Sequence, residues 1–195
     1  FETTGLDSNT DRIIEVGLAC FDQGVITHTE NWLVNPTQPI SPESVAITGI
    51  TDDMVRGEPT FDQLWPQIKK ALSGRIPAAY NADFDRGFLL AELTRMGADE
   101  QDRPPAGDPK SIWIDPLVWA RVLLPESKSF KLTEIAALLG VPLDTAHRAS
   151  HDAQAAGLVL QILSAKMPER YGELLRVQPK YAATQSVEQA FWRRR

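Results

Sequence analysis

An α/β fold, a mixed sheet flanked by helices, follows from three observations on the sequence. Branched and aromatic runs of strand length come first, at residues 12–21 (RIIEVGLACF) and 25–34 (VITHTENWLV). From residue 60 onward apolar residues recur at helical spacing, alternating with two short apolar strands. Turn and cap residues stand at the joins. Strands first and then strand–helix alternation indicate a sheet with helices packed on it. At 195 residues, 43% hydrophobic and 24% charged, the chain suits one globular domain with a short appendage and can bury a real core.

In chain order, an apolar strand ends at Glu2, ahead of Thr3-Thr4-Gly5. Asp22-Gln23-Gly24 separates the two branched runs and reads as a hairpin turn. Prolines at 36, 39 and 42 end the third strand, since proline cannot donate to a ladder. Ser41-Pro42-Glu43 offers an N-cap with proline at the first helical position, opening a short helix toward Ile47. Thr60 caps a longer helix with Phe61, Leu64, Trp65, Ile68 and Leu72 on one face and Gly74 as its stop. Ile76 to Tyr80 is a short strand, and Asn81 is placed to cap the helix that runs to about Met96. Residues 101–110 (QDRPPAGDPK) read as a polar loop. Ile112 to Ile114 is a strand leading through Asp115-Pro116 into a helix. Further helices cover Leu132 to Leu139 and Ala149 to Ala165. Beyond Met167-Pro168 the pattern weakens to one amphipathic stretch, Glu169 to Val177, and an aromatic, basic end, AFWRRR. That end reads as a docked helix with a frayed tail, or as a contact for a partner protein or nucleic acid.

A formal net charge of -6 argues against nucleic-acid binding through general basicity. It is compatible with a metal-dependent nuclease, where bound cations supply the positive field. The one cysteine, Cys20, excludes an internal disulfide framework and thiolate zinc clusters, and its apolar setting reads as a buried small residue. No apolar run is long enough to span a bilayer and no signal peptide precedes the first strand, so no membrane partner and a cytoplasmic location are expected.

Three separate elements each contribute an inward carboxylate. Glu2 stands at a strand end beside a turn. Asp85 shares a helix face with Phe88, Leu89 and Glu92; alone it reads equally as an arginine's partner. Asp83 suits a first-turn acid favoured by the helix dipole. Asp152 projects with Ala156, Val159 and Leu163, and His147 lies in the loop before it, where a lone histidine is also an ordinary surface residue. His151, rotated by roughly 100° from Asp152, faces away. Gathered carboxylates repel unless cations compensate. Hard oxygen donors without cysteine suit Mg²⁺ or Mn²⁺ better than zinc.

The wording and order of ETTG at 2–5, NADFDRGFL at 81–89 and HRASHDA at 147–153 resemble the DEDDh branch of the DnaQ-like 3′-to-5′ exonucleases. Ala46-Ile47-Thr48-Gly49-Ile50 is similar to that family's segment ending in His-Gly-Ile, and Asp115-Pro116-Leu117 with Ala120-Arg121 to its later strand-to-helix element. The resemblance covers about residues 1–165 and implies a ribonuclease-H-like fold with a mixed five-stranded sheet, leaving residues 166–195 as a C-terminal helix and basic tail. It implies Glu2, Asp85 and Asp152 as ligands of two Mg²⁺ or Mn²⁺ ions and His147 as general base. Thr3, Thr4 and Leu6 would line the terminal nucleotide, Leu6 as a wedge against its base. Thr48, Asn81 and Phe84 would shape the same pocket, Thr48 standing where many relatives carry His. Tyr80 also replaces a frequent His, and Asp115 is expected only to cap the next helix. The family's first motif is Asp-x-Glu-Thr-x-Gly, so an Asp immediately before Phe1 is expected in the native protein.

The implied function is metal-dependent release of 5′-mononucleotides from single-stranded DNA 3′ ends. Proofreading would need a DNA polymerase subunit as partner, because the chain carries no polymerase segment. Two rivals stand beside it: a catalytically impaired nucleic-acid-binding or polymerase-associated module, should the first Asp be absent, and an RNA-trimming exonuclease.

Overall fold

The long hairpin forms where the branched runs and Gln23-Gly24 direct it. In a computed structural model, which describes residues 1–143 and 148–192, β1 (Glu2–Thr3), β2 (Ile13–Asp22) and β3 (Val25–Leu33) make an antiparallel sheet of order β1-β2-β3. Gln23 and Gly24 both have positive φ, 53° and 81°, the two-residue geometry whose twist matches the strands it joins. Glu2 lies opposite Glu15 in the β1–β2 register.

Of the five strands expected, three form this sheet among the described residues. The other two segments meet in one parallel bridge, Ala78 to Ile114, through Ala79 N–H to Ile114 O (3.1 Å) and Ile114 N–H to Pro77 O (2.9 Å). Pro77 has no N–H to extend the ladder, and Asp115-Pro116 turns at once into a helix. Among the described residues the sheet itself is antiparallel throughout, and the parallel pairing expected of a mixed sheet is confined to this isolated bridge.

Helices α1 (Pro42–Thr48), α2 (Asp52–Val55), α3 (Phe61–Leu72), α4 (Ala82–Arg95), α5 (Pro116–Leu123), α6 (Leu132–Leu139), α7 (Ala149–Ser164) and α8 (Tyr171–Trp192) follow. Ser41 caps α1 as its sequence suggests, accepting Ser44 N–H at 3.1 Å. The apolar stripe of α3 is buried at Phe61, Leu64, Trp65 and Ile68, and packs with Phe88, Leu89 and Leu93 of α4 in one core. A second core gathers Trp119, Ile135, Val159, Leu163 and Leu174 from α5, α6, α7 and α8.

The expected polar loop at 101–110 differs from its reading. Two single turns of 3₁₀ helix, Glu100–Asp102 and Pro105–Gly107, seat Ala106 in the first core, and Ala106 O accepts the Trp113 indole N–H at 3.2 Å. The last helix also runs well past the expected Val177. It docks through Gln178, 5% exposed, which accepts Asp115 N–H (3.0 Å) and Trp119 Nε1–H (2.9 Å) and donates to Trp113 O (2.8 Å). Tyr181 packs edge-on against Trp119. The side chains of 189–192 and all of 193–195, most of the expected basic end, lie outside the description.

Two contacts fix the frame around the site. Glu92, 2% exposed, takes Arg12 in a two-pronged pair (2.7 and 2.9 Å), tying β2 to α4. Gly17 lets α7 lie directly on β2: a Cβ there would fall 2.0 Å from the Ala149 carbonyl carbon. Among the described residues no helix is long and apolar enough to cross a membrane.

Candidate active site

The three inward carboxylates arrive from β1, α4 and α7. Asp85, its side chain 15% exposed, accepts a hydrogen bond from the Phe1 amino group at 2.6 Å. Burial lowers the tendency of that amino group to hold its proton. The charge and hydrogen bond of Asp85, followed by the charges of Glu2 and Asp152, raise it, and together they make the net shift upward. The charges of Asp85, Glu2 and Asp152 thus act together on one buried nitrogen. Asp85 has Phe88, Leu89 and Glu92 buried on its face, as the helical spacing predicts. Asp152 is half-buried above buried Ala156, Val159 and Leu163, and His151 is exposed. His147 lies outside the described residues.

The other predicted contacts divide. Leu6 is 86% exposed, and Asn81 is exposed too. Phe84 is half-buried with its ring 4.9 Å from that of Phe88. Thr3 and Thr4 are buried. Thr3 donates its hydroxyl to Gly5 O (2.6 Å) and its carbonyl accepts the Ser44 hydroxyl. Thr4 donates to Asp11 and accepts Arg12 N–H and the Gln38 amide, which shapes the turn after β1. Gly5 belongs to the same turn, where a Cβ would meet the Asp11 carboxylate at 2.5 Å. Thr48 is buried too, donating to Ser44 O and accepting Ile50 N–H. Its hydroxyl closes the end of α1. Tyr80 donates to Phe130 O (2.7 Å), and burial pushes its phenol well up.

Asn81 does not cap α4. It sits at the N-cap position in the left-handed region (φ 67°, ψ 54°) with no side-chain cap bond. A left-handed backbone turns the side chain away from the free N–H groups that a β-region N-cap would reach. Asp115 does the work instead. It caps α5 as expected, accepting Leu117 N–H at 2.8 Å, and also accepts Asn81 and Ala82 N–H at 3.0 Å each. Burial raises the Asp115 carboxyl above the ordinary value in spite of these three donors.

Glu15, 0% exposed, is the residue sequence reading missed altogether. It accepts Ala149 N–H at 3.0 Å, the Asn31 amide at 2.9 Å and Arg148 at 3.5 Å. A signal existed: in the strand pattern Ile13, Glu15 and Gly17 share one face. A charge beside a glycine on a buried face marks a close approach by another backbone.

Among the described residues no group of three or more His, Cys, Asp or Glu side chains is arranged as an ion-holding set. The donor chemistry nevertheless fits a hard divalent cation. Glu2, Asp85 and Asp152 offer carboxylate oxygens from three elements, and Cys20, the one thiol, is buried in β2.

Residues 1–160 match the family model RNase T, described as exonuclease. DNA polymerase III PolC-type of Clostridium perfringens is 34% identical over 168 residues, 86% of this chain and 11% of that protein. Its counterpart from Bacillus cereus is 33% identical over 159 residues, 82% of this chain and 10% of that protein. The chain therefore spans about a tenth of the length of these relatives. Among solved structures, exonuclease X in complex with 5′ overhanging duplex DNA has TM-score 0.69 at 23% identity, covering 91% of this chain and 95% of that one. E. coli exonuclease I in complex with a dA16 oligonucleotide has TM-score 0.69 at 22% identity, covering 90% and 41%. The nuclease domain of 3′hExo, a DEDDh family member bound to rAMP, has TM-score 0.65 at 19% identity, covering 80% and 82%. These likenesses show a ribonuclease-H-like fold.

Proposed function

The chain belongs to the RNase T family of exonucleases, and from that premise we propose that it removes nucleotides one at a time from the 3′ end of single-stranded DNA. The observation that most supports this reading is that Glu2, Asp85 and Asp152 stand on three separate elements, β1, α4 and α7, of a chain that matches the exonuclease family over residues 1–160, with Asp85 and Asp152 each three residues into its helix. In this reading they hold Mg²⁺ or Mn²⁺, two ions per site, which when bound supply charge neutralisation at the scissile phosphate and an acidified water. Leu6, Asn81 and Phe84 contact the terminal nucleotide, while Thr3, Thr4 and Thr48 support the pocket wall that faces it. His147 takes the proton of the attacking water. The water oxygen bonds to phosphorus as the bond to the penultimate nucleotide's 3′ oxygen breaks; that oxygen takes a proton from solvent to become the new 3′ hydroxyl, and the 5′-monophosphate leaves.

Residues 1–165 are the catalytic domain in this reading. The helix and basic tail at 166–195 contact a polymerase partner in the cytoplasm, where the enzyme proofreads. The relatives bearing the PolC-type DNA polymerase III name favour that role.

The test is digestion of a 5′-labelled single-stranded oligonucleotide by the chain extended with an Asp before Phe1, in Mn²⁺ and in Mg²⁺. Stepwise shortening with mononucleotide release is expected, faster on DNA than on a matched RNA. Internal cuts, or no shortening in either metal, would overturn the reading; faster RNA digestion would reassign it to RNA trimming. His147→Ala should lower turnover about 100-fold or more, leaving Mn²⁺ binding by calorimetry unchanged.

A further inference from the structure

Helices α4 and α7 carry Asp85 and Asp152, and neither is capped by the residue at its own N-cap position. Asn81 and Arg148 make no side-chain cap bond. The first N–H groups of a helix have no partner within it, and here a buried carboxylate from a distant element supplies one each time. Asp115 accepts Asn81 N–H and Ala82 N–H at the start of α4. Glu15 accepts Ala149 N–H at the start of α7.

The two arrangements match in register. Ala82 and Ala149 are the first residues of their helices, and in each the carboxylate of interest stands three residues on, less than one turn away. A tilt or a slip at the capped end therefore moves Asp85 or Asp152 directly.

Both caps are costly choices. An ionised carboxylate is expensive to bury unless its oxygens are satisfied, and a Ser or Asn at the N-cap position would cap more cheaply. Here each carboxylate is further supported. Asp115 also takes Leu117 N–H, and its own N–H is fixed by Gln178 of α8. Glu15 also takes Asn31 and Arg148.

We propose that Asp115 and Glu15 are positioning residues, which set the two carboxylates Asp85 and Asp152 by clamping the helix starts that carry them. The proposal rests on the reading of Asp85 and Asp152 as metal ligands. Neither clamp touches substrate or metal.

The experiment titrates Mn²⁺ by calorimetry into the chain extended with an Asp before Phe1, comparing this otherwise unaltered protein with its Asp115→Asn, Glu15→Gln, Asp85→Asn and Asp152→Asn variants. Melting and amide exchange are followed in parallel. Each clamp isostere keeps its shape but sets an NH₂ where a carboxylate oxygen accepted, so Mn²⁺ binding should weaken about tenfold. Exchange should quicken at Ala82 in Asp115→Asn and at Ala149 in Glu15→Gln. A lower melting temperature with unchanged Mn²⁺ affinity would show a purely structural role and sink the proposal. If Asp85→Asn and Asp152→Asn bind Mn²⁺ as the unaltered chain does, or the unaltered chain binds none, the ligand reading itself falls. Should an isostere not fold, exchange in the unaltered protein decides. Ala82 and Ala149 amides should be as protected as mid-helix amides, and unprotected rates there would refute the clamps.

Discussion

The two ends of the candidate site are built on the same plan and anchored differently. Helix α7 takes its clamp from Glu15, near the start of the central strand β2, with a strand paired on each side and Gly17 bringing the helix onto the sheet. Helix α4 takes its clamp from Asp115, at the end of a segment joined to its neighbour by one bridge and held from behind by Gln178 of α8. The sheet holds one carboxylate in place. A chain of single hydrogen bonds reaching to the last helix holds the other, so this half of the site depends on residues far along the sequence.

The largest effect should come from the sheet side. Gly17→Ala would drive a Cβ to 2.0 Å from backbone atoms of α7, and backbone cannot rotate aside. We expect a loss of about 3 kcal/mol or more, read as a lower midpoint in urea denaturation, with exchange quickened at Ala149. A midpoint near that of the unaltered chain would mean that α7 does not lie so close on β2.

Gln178→Leu tests the other half. It strands the Trp119 indole N–H, the Asp115 N–H and the Trp113 carbonyl. Because α8 can shift to admit water, the expected cost is about 2 kcal/mol. Exchange should quicken at Ala82 and stay unchanged at Ala149. If both amides respond alike, the two halves are not independently anchored.

The smallest effect is a pH dependence. Burial raises the Asp115 carboxyl in the folded state, so folding favours its protonated form. Its contribution to stability is fully present below the ordinary carboxyl range and is lost as pH rises through the folded-state value. Relative to Asp115→Asn, which does not titrate there, the unaltered chain should gain stability as pH falls from 7 toward 4. Parallel melting curves at each pH would show the trend, and a constant difference would contradict it.

Much of this was legible in local sequence. The stripe Phe61, Leu64, Trp65, Ile68 reports its helix because burial repeats with the helical period. The same logic placed Asp85 with Phe88 and Leu89, and Asp152 with Val159 and Leu163. Gln23-Gly24 specified the hairpin because both residues must accept positive φ. Reading failed where a residue's partner is remote. Asn81 looked like a cap by type, yet its backbone is left-handed and Asp115 takes the role. Glu15 looked like one more strand residue, and Gln178 lay where the apolar pattern had faded. The length of α8 was underestimated for the same reason: Gln178 and Gln185 bind it through hydrogen bonds to the α5 region, which leave no apolar period.

What the sequence determined by itself was the long hairpin, most of the helices and the faces that Asp85 and Asp152 share with buried apolar residues, since these follow from side-chain periodicity and turn residues along one segment. What only the tertiary structure decided was which buried charge closes which helix. A hydrogen bond between Glu15 and Ala149, or between Asp115 and Ala82, depends on where two distant backbones meet, and packing of the whole chain sets that meeting.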